Sequence, residues 1–260
     1  MADQAAGQQA DPTVPPRVVI ATISRDSLRM GMVGGVIQSL QAGLVHGFVM
    51  AESGPYLDSG RNRAIANCLE QPDDAWEWLL FVDSDVEFTP QHIADLFRAY
   101  TVPEKSGMVP EVQPLIAGIY ANPFADEVPG EDEGDHIGPV AYEWTEVTNL
   151  HGELEGVPTE TFRRLSRKSL AALPRYAGAE FDDICQVACV GTGFMGIHKS
   201  LLRTMEQRYP QPLPWFDEPV HNNVHYGEDM GFCLRLMDMG YPVLVHRGVT
   251  PLHHKTIKLI

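Results

Sequence analysis

No stretch of this chain is apolar for long enough to cross a bilayer. Its first residues, MADQAAGQQADPTVPP, have neither the basic start nor the apolar centre of a secretory signal. Their Ala, Gln and Pro content reads as a disordered leader over residues 1–16, and a cytoplasmic location is expected. Cysteine is scarce too. Cys68, Cys185, Cys189 and Cys233 are the only four, all in apolar or strand-like contexts, and they read as reduced core thiols rather than a disulfide framework. Cys185 and Cys189 do not have zinc-knuckle spacing. Basic charge is the third shortage: 19 Lys and Arg stand against 35 Asp and Glu, a formal charge of -16. That argues against general coating of nucleic acid, which runs on Lys and Arg. It leaves room for a local basic patch and suits an acidic cleft that holds a cation.

Apolar residues are not scarce. At 44% of 260 residues they suffice for one large domain or two small ones, and no repeat or composition break divides the chain after residue 16. RVVIAT (17–22) reads as a strand, SLRMGMVGGVIQSLQAGL (27–44) as a helix with Leu28, Met32, Val36, Leu40 and Leu44 inward, and FVMAE (48–52) as a strand. SGRNRAIANCLEQ (59–71) reads as a helix with Ser59 as N-cap. LLFV (79–82) is a strand buried on both faces, and TPQHIADLFRAY (89–100) is a helix capped by Thr89 with Pro90 in its first turn. Alternating strands and helices predict a doubly wound α/β half, whose ligands bind beyond the carboxyl ends of the strands.

The second half is less regular. LIAGIY (115–120) is strand-like, and 124–139, acidic without Lys or Arg, reads as a solvated loop. PTETFRRLSRKSLAALPR (158–175) reads as a helix with Phe162, Leu165, Leu170 and Leu173 inward and Arg163, Arg164, Arg167 and Lys168 clustered outside. Residues 185–202 read as strand, glycine turn, strand and helix start. A helix follows with Phe232, Leu236 and Met239 on one face, ended by Gly240, and then the strand PVLVH (242–246).

Four pieces at element edges ask for a joint explanation: Asp83-Ser84-Asp85 after the buried strand, VGTGFMG (190–196), Gly227-Glu228-Asp229 at a helix start, and His253-His254 beyond the last strand. Each alone has a plain structural reading as a turn, a cap or a solvated pair. Two carboxylates at the end of a buried strand, however, repel each other and lose hydration, and a divalent cation is the simplest remedy.

In that order, the four pieces resemble the GT-A-fold glycosyltransferases, particularly small family-2-like members of bacteria and bacteriophages, over about residues 17–256. SGRNRAIANCL resembles their Arg-Asn helix start near the nucleotide. The resemblance implies an α/β three-layer, Rossmann-like sandwich with a mixed, mostly parallel central sheet. It implies one domain over 17–260, with 17–120 as the nucleotide-sugar half and 121–260 as the acceptor and catalytic half. The implied activity moves a sugar from a nucleotide diphosphate, a UDP-sugar being the expected donor, to an acceptor hydroxyl.

Roles follow from the resemblance. Asp85 is the expected metal ligand for Mn²⁺ or Mg²⁺, with Asp83 on the ribose or a metal-bound water and His253 or His254 completing the set. An imidazole tilts the choice toward Mn²⁺. Thr22, Ser24, Arg61, Arg63, Asp83, Ser84, Gly191, Thr192 and Gly193 are expected around the donor. Asp229, with Glu228 second, is the expected base, in an inverting displacement. Trp215 and the bases Arg163, Arg164, Arg167 and Lys168 are expected to meet the acceptor. A hydroxymethylated pyrimidine in DNA is one acceptor, a glycan or protein the other, and a host-cytoplasm location goes with a phage origin. A metal-dependent phosphotransferase or nucleotidyltransferase and a noncatalytic sugar or nucleotide binder are the competing functions.

Overall fold

The computed structural model describes residues 16–24, 27–52, 56–98, 115–122, 138–147, 159–177, 183–209, 212–221 and 224–254. The expected 1–16 leader, apart from residue 16, and most of the 124–139 loop lie outside them. Along the chain come β1 (Val18–Ser24), α1 (Met30–Gln41), β2 (Gly47–Glu52), α2 (Leu57–Leu69), β3 (Trp78–Val82), β4 (Val86–Glu87) and α3 (Pro90–Arg98). Next are β5 (Leu115–Gly118), β6 (Ala121–Asn122), β7 (Gly138–Pro139), β8 (Ala141–Val147), β9 (Thr159–Arg164) and α4 (Arg167–Ala172). The last are β10 (Ile184–Val187), β11 (Cys189–Val190), β12 (Phe194–His198), α5 (Lys199–Arg208), β13 (Val220–His221), β14 (Val224–His225), α6 (Glu228–Asp238), β15 (Val243–His246) and β16 (Leu252–His253).

Seven strands form the main sheet in the order β10-β15-β5-β12-β3-β1-β2. β1, β2, β3, β5 and β15 run one way, and β12 and β10 run against them. Alternate side chains feed two cores. Val18, Ile20, Leu80 and Ile116 pack against Met32 and Val36 of α1 and Ile93, Leu96 and Phe97 of α3. Val19, Ala21, Leu79, Phe81 and Val245 pack against Ile65 of α2, Leu201 and Met205 of α5, and Phe232 and Leu236 of α6. The result is a three-layer α/β sandwich around a mixed, mostly parallel sheet, as expected. All five residues of β3 are buried, which explains the unbroken apolar run before Asp83. The four cysteines are buried and form no disulfide.

Three local expectations need correction. The buried stripe of α1 is Met32, Gly35, Val36 and Ser39, and Leu40 is exposed. Gly35 belongs to that stripe because a Cβ there would sit 2.6 Å from the Phe88 carbonyl oxygen. α2 starts at Leu57, two residues before the expected Ser59 cap. The helix read over 158–175 is instead β9 followed by the short α4. The β-branched and aromatic run Thr159–Phe162 pairs with the similar Trp144–Val147 of β8. Helix begins only after Ser166, whose hydroxyl accepts from the Ser169 amide at 2.9 Å.

Candidate active site

The carboxyl edge of the main sheet gathers the titratable groups. β3 ends at Val82, and Asp83-Ser84-Asp85 turn there. The Val86 amide donates to the Asp83 carbonyl at 3.0 Å, and the Asp83 amide donates to the Gly193 carbonyl at 3.1 Å. The Ser84 carbonyl accepts from the Arg29 amide at 3.0 Å. The turn separates the two carboxylates. Asp83 Oδ1 faces Arg61, 3.5 Å from its guanidinium, while Asp85 Oδ1 lies 3.3 Å from His253 Nε2. Antiparallel pairing of β16 with β4 carries His253 to that position. The Tyr120 ring stands edge-on to the His253 imidazole, centroids 5.1 Å apart. His254 turns elsewhere and meets Glu87 at 2.8 Å in a half-exposed pair.

Arg61 is the hub of the other carboxylates. The side chain is buried, rising from α2 to pair with Glu228 as well as Asp83. It lies 5.6 Å from the centre of the Phe216 ring, and among the described residues its Nε finds no hydrogen-bond partner. Burial opposes its charge, but Asp83, Glu228 and Asp229 outweigh that and hold the guanidinium more firmly protonated. Glu228 and Asp229 open α6 after the Gly227 cap, at the end where the helix dipole favours negative charge. Asp229 Oδ1 accepts from the Met230 amide at 2.9 Å. Burial, then Glu228, pushes the Asp229 carboxyl up to about 6, against the pull of Arg61 and the Met230 amide. A carboxylate poised near neutrality is suited to taking a proton from a hydroxyl.

The glycine loop closes over this group. Tyr120, just past β5, accepts a hydrogen bond from the Gly193 amide at 3.0 Å. A Cβ on Gly193 would sit 2.6 Å from Tyr120 Cζ and 2.9 Å from Asp83 Oδ2, and Tyr120 also crowds Gly191. Thr192 between them is buried. Tyr120 was not among the residues expected from the sequence. Its place at the end of LIAGIY was the available signal, because the rule that marks Asp83 at the carboxyl edge marks it too.

The remaining expected residues divide. Thr22, at the carboxyl end of β1, is fully buried, and its hydroxyl finds no partner among the described residues. Ser24 donates to the Ser27 carbonyl at 2.9 Å. Arg63 is exposed, because two residues along a helix from the inward Arg61 is the opposite side. Trp215, expected at the acceptor, is a core residue: it is buried and its indole donates to the Leu202 carbonyl at 2.8 Å. The four bases do not form one patch. Arg163 and Arg164 are strand neighbours and point to opposite faces. Arg163 pairs with Glu143, and Arg164 lies 5.8 Å from the centre of the Tyr142 ring. Arg167 and Lys168 are exposed on α4.

No family model matches the sequence, and no curated protein matches it at a significant level. Among solved structures, the chain is similar to A197 from STIV, at 15% identity and a TM-score of 0.49, over 92% of this chain and 86% of that one. It is also similar to a glycosyltransferase involved in the glycosylation of the major capsid of PBCV-1, at 12% identity and a TM-score of 0.42, over 94% of this chain and 95% of that one.

Proposed function

We propose that the chain is a glycosyltransferase that moves a sugar from a nucleoside diphosphate to an acceptor hydroxyl, with Asp229 as the base. The observation that carries the reading is the convergence of Asp83, Arg61, Glu228 and Asp229 at the sheet's carboxyl edge, with Asp229 pushed up to about 6. Asp229 takes the acceptor's proton as its oxygen bonds the anomeric carbon. The bond from that carbon to the diphosphate oxygen breaks, and nucleoside diphosphate leaves with the electron pair. Attack opposite the leaving group gives inversion. Arg61 holds Glu228 and Asp83 in place.

Asp85 and His253 are the residues that fit a divalent cation, a carboxylate oxygen and an imidazole nitrogen 3.3 Å apart. Among the described residues no three of His, Cys, Asp and Glu come together as a metal-binding group. The pair therefore suits an ion shared with substrate phosphates, as Mg²⁺ and Mn²⁺ commonly are, rather than a protein-only cage. When bound, such an ion would offset the charge that develops on the departing diphosphate. Incubating the protein with Mn²⁺ and a panel of nucleotide sugars, UDP-sugars first, tests the function. Release of nucleoside diphosphate supports sugar transfer, and release of pyrophosphate would replace it with nucleotidyl transfer.

A further inference from the structure

The β8–β9 pair has two unlike faces. In its antiparallel register Tyr142 lies opposite Arg164 and Trp144 opposite Phe162, with Glu143 opposite Arg163 between them. Side chains alternate across a strand, so Tyr142, Trp144, Phe162 and Arg164 share one face, while Glu143 and Arg163 neutralise each other on the other. The aromatic face leads to the candidate base. Trp144 and Phe162 meet edge to face with centroids 4.8 Å apart. Phe162 meets Tyr226 in the same way at 5.5 Å, and Tyr226 immediately precedes the Gly227-Glu228-Asp229 helix start. At the near end, burial raises the Tyr142 phenol to about 12, with Arg164 opposing and Asp229 adding to the rise. Three of the four tryptophans are core residues, Trp76, Trp78 and Trp215 at 1%, 2% and 3% exposure. Trp144 alone is only half-buried.

We infer that this face is the acceptor platform and that its ligand is a neutral carbohydrate, one ring stacked on Trp144 with Phe162 walling its side and a hydroxyl turned toward Asp229. The inference rests on the glycosyl-transfer reading and adds the acceptor class. A sugar ring has an apolar C–H face and a rim of hydroxyls, which match an aromatic wall bordered by one guanidinium and one carboxylate. A nucleic acid matches poorly. Duplex binding draws on several Lys or Arg contacts to phosphate, yet Arg163 is committed to Glu143 and Arg164 lies over Tyr142. The neighbouring carboxyl is that of Asp229, in a chain of charge -16.

The test is binding of neutral di- and trisaccharides built from glucose, galactose, mannose, fucose, rhamnose, xylose and N-acetylhexosamines. It uses the full chain, saturation-transfer NMR for detection and calorimetry for affinity, with a hydroxymethylated DNA duplex alongside at low salt. At least one saccharide should bind the wild type saturably and change the emission of Trp144. Trp144→Ala should weaken that binding at least tenfold and Trp144→Phe less than threefold, with unfolding midpoints reporting that both variants fold. Titration of the wild type with UDP and Mn²⁺ separates the two ideas. Saccharide binding without nucleotide binding would overturn the donor reading and keep a carbohydrate platform. Nucleotide binding with no saccharide bound, saccharide binding indifferent to Trp144→Ala, or binding of the duplex in place of saccharides would overturn the platform.

Discussion

The Tyr120 phenol oxygen accepts a hydrogen bond from the Gly193 amide at 3.0 Å, and the Gly193 carbonyl accepts one from the Asp83 amide at 3.1 Å. One peptide segment of the glycine loop is thereby tied to β5 on one side and to the end of β3 on the other. Tyr120→Phe keeps the ring against His253 but leaves the buried Gly193 amide without its acceptor, which costs roughly 1–3 kcal/mol. A urea titration should show that loss, and an unchanged midpoint would mean the loop finds another acceptor.

Glycine matters in the loop for space. Gly193→Ala should destabilise the protein by ~2 kcal/mol or more, because the new methyl meets the anchored Tyr120 ring and Asp83. Gly34→Ala in α1 is the contrast. Nothing lies within 4 Å of that position, and alanine is favoured over glycine inside a helix by about 1 kcal/mol. The two substitutions should move the thermal midpoint in opposite directions.

Asp229→Asn should abolish transfer while leaving nucleoside diphosphate binding intact, and it should also stabilise the fold at neutral pH. The folded-state value of about 6 lies above the ordinary 3.8, so the native protein holds this proton more tightly than the unfolded chain does. The contribution to stability is full below about 4 and is lost as pH rises through about 6. At pH 7 the buried charge costs up to roughly 3 kcal/mol, which asparagine removes while retaining an oxygen for the Met230 amide. The wild-type transfer rate should fall on acidification through about 6. A pH–rate profile flat from 5 to 8, or a variant less stable at pH 7, would count against the base.

Arg61→Met should destabilise far more than an average substitution. It leaves Glu228 facing Asp83 and Asp229 without the guanidinium, and breaking a buried ion pair on one side costs about 3–5 kcal/mol. Arg61→Lys should rescue little, because a single ammonium cannot reproduce a planar fork reaching two carboxylates. Acidification should restore part of the lost stability of Arg61→Met by protonating Asp229, whose carboxyl is already pushed up to about 6. Denaturation at pH 5 and pH 7.5 measures it.

Much of this arrangement was legible in the sequence where local rules and tertiary placement agree. The apolar run before Asp83 announced a central strand, and the Gly240 stop after a helical stripe is realised with a left-handed φ of +76°. Glu228 and Asp229 could be placed at a helix start by the same reasoning. Thr159–Arg164 was misread because leucines further along supplied a helical period, whereas cross-strand pairing with Tyr142–Val147 decides the conformation of these residues. Sequence could not reveal that partner. Trp215 was misplaced for a related reason: whether an indole faces solvent depends on what lies over it, here the Leu202 carbonyl that takes its N–H. Tyr120 needed only the edge rule already applied to Asp83, but its partner in the glycine loop is 73 residues away.

His253 at the end of the last strand and His254 just past it give the sharpest test of the cation reading. His253 Nε2 faces Asp85, whereas His254 is taken up by Glu87. Calorimetric titration of UDP in the presence of Mn²⁺ should therefore show binding weakened at least tenfold in Asp85→Asn and in His253→Ala, about 1.4 kcal/mol or more. His254→Ala should stay within threefold of wild type. The same titrations with Mn²⁺ omitted should bring wild type down to the level of the two variants, since the residues removed would hold only the ion. Equal losses in His253→Ala and His254→Ala, or a wild type indifferent to Mn²⁺, would remove the cation from this edge and leave Asp85 and His253 as a structural pair joining β16 to β4.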